Sequence, residues 1–514
     1  MSRLGHDMKT TNLLIVGALG ALAMATTAWA GPTAKLASGV VEGEASGDLV
    51  VFKGIPYAAS TAGQMRWRAP QPVARWTGVR PAKTYGAACP QPHLSDDPWA
   101  QVGPQSEDCL FLNVWAPAKP PKGGAAVMVF IHGGSLIRGA AGVPLYDGSA
   151  LARRGVAIVI INYRLGRLGY FAHPALTAEN ADQGLLGNYG MMDQIAALKW
   201  VQANIASFGG DPRKVTVFGE SAGGVAVQLL VASPAAKGLF IRAIAESSGG
   251  TAVGAPIRGV PISAEPFGVT WAKKIGQTDP TPAELRTAPL AEVINPAGFV
   301  NAMVDGVLAP QSPGNAFRKG EQLPVALMIG GNSNEASLFR GNGALAKPAL
   351  GAAYPALLEA VRAKGPTKAG AEADLVTQAI AIQPSRYLAE RQAAKGQPAY
   401  AYYFDQVASS ERAKQVGADH GGELSYLFGT RIDKETWDED DSHVSRLMGD
   451  YWVRFAKTGD PNGKGAPRWE PVTKSASPYM VIDAKPHSTA PSALDTQIKD
   501  AAMAVAFKAW DAAK

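Results

Sequence analysis

The sequence predicts an α/β fold: a large, mostly parallel central sheet covered by helices on both faces, with loop and helix insertions above one edge. Three observations carry this. The apolar runs Val127–Ile131, Val156–Ile161 and Val325–Ile329 are continuous rather than alternating, the pattern of strands buried on both faces. Segments with helical spacing lie between such runs, as in Ile195, Leu198, Val201 and Ile205, which is the alternation of a sheet with its crossover helices. The runs end in glycine-rich or polar turns, and in parallel sheets the binding site lies beyond those carboxyl ends.

The first thirty residues read as something other than this fold. Arg3 and Lys9 precede the apolar stretch Leu13–Ala25, and Ala28-Trp29-Ala30 has the small-x-small form of a cleavage site. These features predict an export leader removed after Ala30, with a periplasmic or secreted product. The stretch is short for a membrane span, so no stable membrane insertion is expected once it is cut. An uncleaved anchor is the alternative.

Residues 31–514 show no Ser/Pro-rich linker and no repeat, so one decorated domain is expected despite the length. The 49 Lys and Arg against 43 Asp and Glu give a net charge of +6. These charges are scattered rather than clustered, which argues for solubility and against a nucleic-acid partner. The two cysteines, Cys89 and Cys109, suit a disulfide in an exported protein. Without nearby histidines they make a poor metal site.

In chain order, Val40–Tyr57 reads as a small β region, followed by a Pro- and Trp-rich stretch to about Gln105. Phe111–Trp115 alternates as a strand should. Val127–Ile131 ends in His132-Gly133-Gly134-Ser135, and Val156–Ile161 in Asn162-Tyr163-Arg164. The helical pattern around Ile195 stops at Gly209-Gly210-Asp211-Pro212. Ile241–Ala245, Val325–Ile329 and Ala399–Phe404 are the later strand candidates.

The most informative stretch is Val215–Gly224. Four β-favouring residues run into Gly219-Glu220-Ser221-Ala222-Gly223, and a helix-compatible segment follows. A G-x-S-x-G pattern in strand–turn–helix context marks a nucleophilic serine held on a sharp turn, where small neighbours make room. A serine needs a general base, usually histidine.

Of seven histidines, His6 lies in the leader, His93 in the Pro-rich loop, and His173 before a proline. His443 lies in an acidic helix start, and His487 in a polar tail. His132 is placed to support its loop. Elimination leaves His420, after a strand candidate and before Gly421-Gly422. The acid should precede it at a strand end. Glu335 fits after Val325–Ile329, with Asp305, Asp374 and Asp405 as rivals. Glu220 and Glu246 are close to the serine's strand but break the order serine, acid, histidine. The N–H of Ala222 and those of the loop after Ile131 would receive an oxyanion.

Assembled in this way, the chain resembles the type-B carboxylesterases, the cholinesterase/carboxylesterase family of α/β hydrolases. The resemblance runs through Phe52–Ala58, Ser106–Trp115, Asn162–Gly169, Gly187–Gln194, Asn204–Pro212, the serine turn and Tyr451–Asn462. It implies Ser221, Glu335 and His420 as a triad, Gly134, Ser135 and Ala222 as oxyanion donors, and Cys89–Cys109 as the family's first disulfide. It also implies hydrolysis of small-molecule esters through an acyl-enzyme, with no metal or organic cofactor.

Several positions depart from the family pattern. Ser135 stands where glycine or alanine is usual. Asn334-Glu335-Ala336 replaces Asp-Glu-Gly, and Glu246-Ser247-Ser248-Gly249 stands where Gln-Ser-Gly is common. Shortened segments at 249–305 and 335–420 lead us to expect a more open cleft and bulkier acyl groups. The alternatives are the same chemistry on amides, carbamates or lactones, or a non-catalytic binding protein that kept the fold. The sequence does not define an oligomeric state.

Overall fold

The computed structural model describes residues 31–512 apart from 93–101, 251–253, 261, 296, 297, 299, 300, 366 and 432–434. The proposed leader and its cleavage site therefore lie outside the described residues, as does His93.

Eleven strands form the central sheet. In chain order they are β1 (Glu44–Ser46), β2 (Leu49–Pro56), β3 (Phe111–Pro117), β4 (Ala125–Ile131), β5 (Val156–Ile161) and β6 (Gly210–Glu220). The series continues with β7 (Arg242–Glu246), β8 (Ala326–Asn332), β9 (Ala399–Phe404), β10 (Tyr479–Ile482) and β11 (His487–Thr489). The spatial order is β11-β10-β9-β8-β7-β6-β4-β5-β3-β2-β1. From β10 to β5 every neighbour is parallel. The flanks, β11 on one side and β3, β2 and β1 on the other, are antiparallel.

The chain steps from β4 outward to β5, then crosses back so that β6 lies on the other side of β4. That reversal opens a crevice at the carboxyl ends of β4 and β6, where α/β sheets bind their ligands. Phe218 pairs with Phe130 and Gly219 with Ile131, so the register brings the loop after Ile131 against the turn that carries Ser221.

The continuous apolar strands give the sheet two cores. Val129, Val217, Ala245 and Ile329 face one way, packed with residues of α1 (Tyr189–Asn204), α2 (Ala222–Ala232) and α3 (Gln383–Ala394). Phe130, Phe218, Ile244 and Met328 face the other, under α4 (Glu423–Phe428) and α5 (Glu439–Thr458). The helix α5 begins with a capping box in which Asp438 and Asp441 satisfy each other's backbone N–H, and it ends at Gly459 in the left-handed conformation.

Two departures from the expected elements have local causes. Of the small β region, only Val40–Glu42 stands outside the main sheet, between Thr33–Lys35 and Val79–Pro81; β1 and β2 extend the main sheet. In β3 the alternation suggested one buried face, yet Leu112 through Ala116 are all buried. Asn113 tolerates burial because its Oδ1 accepts from Gly54 N–H at 2.9 Å and its Nδ2 donates to Ala141 O at 3.0 Å. The first of these bonds fills the irregularity in the β2–β3 ladder between Phe52 and Ile55.

Candidate active site

Ser221 occupies the turn between β6 and α2 with φ 55° and ψ −122°. Its neighbours must be glycine for a steric reason. A Cβ on Gly219 would come within 2.6 Å of Ile131 O, and one on Gly223 would run into the same carbonyl. The turn is therefore pressed against the end of β4. Ser221 N–H donates to Glu246 O at 2.9 Å, which ties it to β7 as well.

His420 Nε2 lies 2.8 Å from Ser221 Oγ, and its Nδ1 contacts Glu335 Oε2. The histidine is oriented by its backbone too, since its N–H donates to Ser337 Oγ at 2.9 Å. Glu335 begins a short 3₁₀ turn, Glu335–Phe339, directly after β8, and its Oε1 accepts from Asn332 N–H at 2.7 Å. The rival acid Asp305 instead closes a turn, accepting from Val307 and Ala309 N–H and from Asn188 Nδ2. Asp374 lies beside Gln378.

His132 supports its loop. It is fully buried, stacks on Tyr163 with centroids 4.6 Å apart and sits 2.9 Å from Gly133 O. Burial lowers its pKa to about 4, so it is neutral. Beyond it, Gly134 and Ser135 have φ 101° and 56°. Their N–H groups find no acceptor among the described residues, and Ser135 lines the same cleft as Ser221. The N–H of Ala222 belongs to the first residue of α2, a position that leaves it without an intrahelical acceptor. These three groups can receive an oxyanion.

Behind the histidine lies a layer of buried carboxyls that the sequence reading did not anticipate. Glu220 Oε1 is 3.3 Å from His420 Nε2. Glu423 accepts from Ser247 Oγ at 2.9 Å and from Asn332 Nδ2. Glu246, with no exposed surface, accepts from Trp452 Nε1 at 3.1 Å. So many carboxylates in one dry layer cannot all ionise. Burial raises Glu220 to about 8 and Glu423 to about 7, and it drives Glu246 well above the ordinary range.

Burial pushes Glu335 up as well, but the charge of His420 and the bonds from His420 and Asn332 N–H outweigh it and hold it below its ordinary value. Burial alone would lower His420; the carboxylates Glu335, Glu220 and Glu423 outweigh it and raise the imidazole to about 10. The only local hint of this layer was Glu423, three positions after His420 in a glycine-rich turn, and nothing in that pattern indicates burial.

Cys89 and Cys109 are bonded to each other, their Cα atoms 4.9 Å apart. The bond lies behind the site: Asn162, at the end of β5, donates to Cys109 O at 3.0 Å and accepts from Ala141 N–H at 2.7 Å.

A mostly parallel sheet with a serine on a tight strand–helix turn, faced by a histidine from a later loop, defines an α/β hydrolase. The chain belongs to the carboxylesterase family, whose family model matches residues 30–360 and 356–505. It is 33% identical to the para-nitrobenzyl esterase of Bacillus subtilis over 474 residues, 87% of this chain and 94% of that protein. It is also 39% identical to the fumonisin B1 esterase of Sphingopyxis macrogoltabida over 307 residues, 59% of this chain and 56% of that protein. A solved thermophilic PNB esterase matches with a TM-score of 0.79 and 31% identity, covering 91% of this chain and 99% of that one. The protein is a carboxylic ester hydrolase.

Proposed function

We propose that ester hydrolysis proceeds through an acyl-enzyme on Ser221, with His420 as general base and acid and Glu335 as its orienting carboxylate. The continuous line of hydrogen bonds from Ser221 Oγ through His420 to Glu335 carries this reading. His420 Nε2 takes the hydroxyl proton as Oγ attacks the ester carbonyl. The negative charge then passes to the carbonyl oxygen, which rests on the N–H groups of Gly134, Ser135 and Ala222. His420 returns the proton to the leaving alcohol, and the C–O bond breaks. Water repeats the sequence, releasing the acid and restoring Ser221.

Glu335 matches the imidazolium that forms at each proton transfer, while its bond to Nδ1 keeps Nε2 facing Ser221. The leader-like first thirty residues support export to the periplasm or beyond, with catalysis there. Replacing Ser221 by alanine is expected to lower turnover by about 10⁶-fold, read with a chromogenic ester; near-normal turnover would refute the nucleophile.

A further inference from the structure

Ser221 stands where two clefts meet. One, of about 280 Å³, has an aliphatic and aromatic side formed by Leu136, Val225, Phe339, Val376 and Ile380, with Ser247, Ser248 and Asn301 completing it. The other, of about 370 Å³, is walled by Arg138, Tyr146, Glu220, Ser337, Arg340 and Asp419. Ser135, Ser221, Leu338 and His420 border both. An ester whose carbonyl reaches Ser221 can lay one arm along the aliphatic side of the first cleft and the other along the charged wall of the second.

The polar wall carries groups of both signs. Glu220 is turned to His420, its Oε1 3.3 Å from Nε2. Asp419 is engaged by Asn334 Nδ2 at 2.6 Å. Against these stand two guanidinium groups. The guanidinium of Arg340 makes no hydrogen bond or ion pair with any described residue, and the residue is exposed.

The backbone fixes where Arg340 stands. It follows the 3₁₀ turn that begins with Glu335, and its N–H donates to Ser337 O at 2.9 Å. Gly341 N–H donates to Ala336 O at 2.9 Å. Arg340 itself has φ 54°, a left-handed conformation that a long side chain rarely adopts. An unpaired arginine thus occupies a position where glycine or asparagine would sit with less strain, on the same short turn as the proposed triad acid.

We propose that Arg340 is a specificity residue that selects esters bearing a carboxylate on the arm in the polar cleft, with an apolar chain on the other arm. A guanidinium meets a carboxylate with paired N–H donors, a geometry that neutral esters cannot use. The proposal rests on Ser221 as nucleophile, since that fixes which clefts the two arms occupy.

The test uses two neutral esters, butyl pentanoate and pentyl butanoate, each paired with the analogue carrying a terminal carboxylate on its five-carbon arm. Hydrolysis is followed by pH-stat for the wild type and for Arg340→Gln, Arg340→Lys and Arg340→Glu. The quantity read is the ratio of kcat/KM for the carboxylated ester to that for its neutral partner. In one of the two pairs this ratio should fall about tenfold in Arg340→Gln, through KM, as expected for a lost hydrogen bond to a charged group. It should fall further in Arg340→Glu and be largely retained in Arg340→Lys. Added salt should lower the wild-type ratio. An unchanged ratio in both pairs, with neutral esters still cleaved, overturns the role of Arg340 and leaves the nucleophile intact. No cleavage of any of the four esters overturns both.

Discussion

The conformation of Ser221, at φ 55°, costs an L-residue on the order of 1–3 kcal/mol. It persists because β4, β6 and β7 each grip the turn, through Gly219 and Gly223 against Ile131 O and through Ser221 N–H on Glu246 O. The environment of His420 has a measurable consequence. Carboxylates raise its pKa to about 10, so the free base that catalysis requires accumulates only as pH rises. The acid limb of kcat/KM should have its midpoint above the ordinary histidine value of 6.5. Glu335→Gln removes a neighbouring negative charge and should move that midpoint down by about one unit or more. It should also cut kcat by about 10⁴-fold, as for a misoriented base. A pH–rate profile with an unmoved midpoint would contradict this electrostatic assignment.

At this scale the serine and the histidine were legible, because local context and scarcity single them out. Glu335 was legible only with rivals. Its pairing with His420 spans 85 positions, and no local pattern reports which acid folds back that far. The buried carboxyl layer was not legible: Glu220 and Glu246 were placed near the serine's strand but set aside on chain order, and nothing around Glu423 shows that it is buried beside them.

Among the elements, the two motifs Asn162-Tyr163-Arg164 and Gly187–Gln194 prove to be halves of one structure. Arg164 holds Asp193 by three bonds: Nε and Nη2 reach the two carboxylate oxygens, both at 2.8 Å, and its backbone N–H donates to Oδ2 at 3.0 Å. Arg164 also lies over the ring of Tyr189 at 5.4 Å. Both ion-pair partners are almost wholly buried, at 2% and 0% side-chain exposure. The pair locks the start of α1 to the end of β5, behind the crevice. Asp193→Ala would leave a buried guanidinium without its counter-ion and should lower stability by about 3–5 kcal/mol, seen as a drop in the urea midpoint at unchanged slope. A change below about 1 kcal/mol would mean that water or another acceptor reaches Arg164. The strands themselves were legible from their continuous apolar runs. The double burial of β3 was not, because it depends on Asn113 finding Gly54 and Ala141, contacts that arise only when distant loops meet.

For the whole molecule, strand order explains why the chemistry gathers where it does. The reversal around β4 opens the crevice; β4 leads into the loop proposed to receive the oxyanion, β6 into Ser221, β8 into Glu335, and the chain after β9 into His420. The parallel character of the sheet could be read from the sequence, but the order β6-β4-β5 could not, since pairing partners are chosen by packing rather than by any local signal. With the frame built from seven parallel strands, each contributing element ends on the same side, where Ser221, His420 and Glu335 are in contact.

The central claim is that Ser221 forms the covalent intermediate. The most direct measurement is labelling with a serine-directed fluorophosphonate, followed by intact-mass and peptide mapping. The expected result is a single adduct per chain on the peptide containing Ser221, with none in Ser221→Ala and far slower labelling in His420→Ala. An adduct at another residue, or equal labelling of Ser221→Ala, would contradict it.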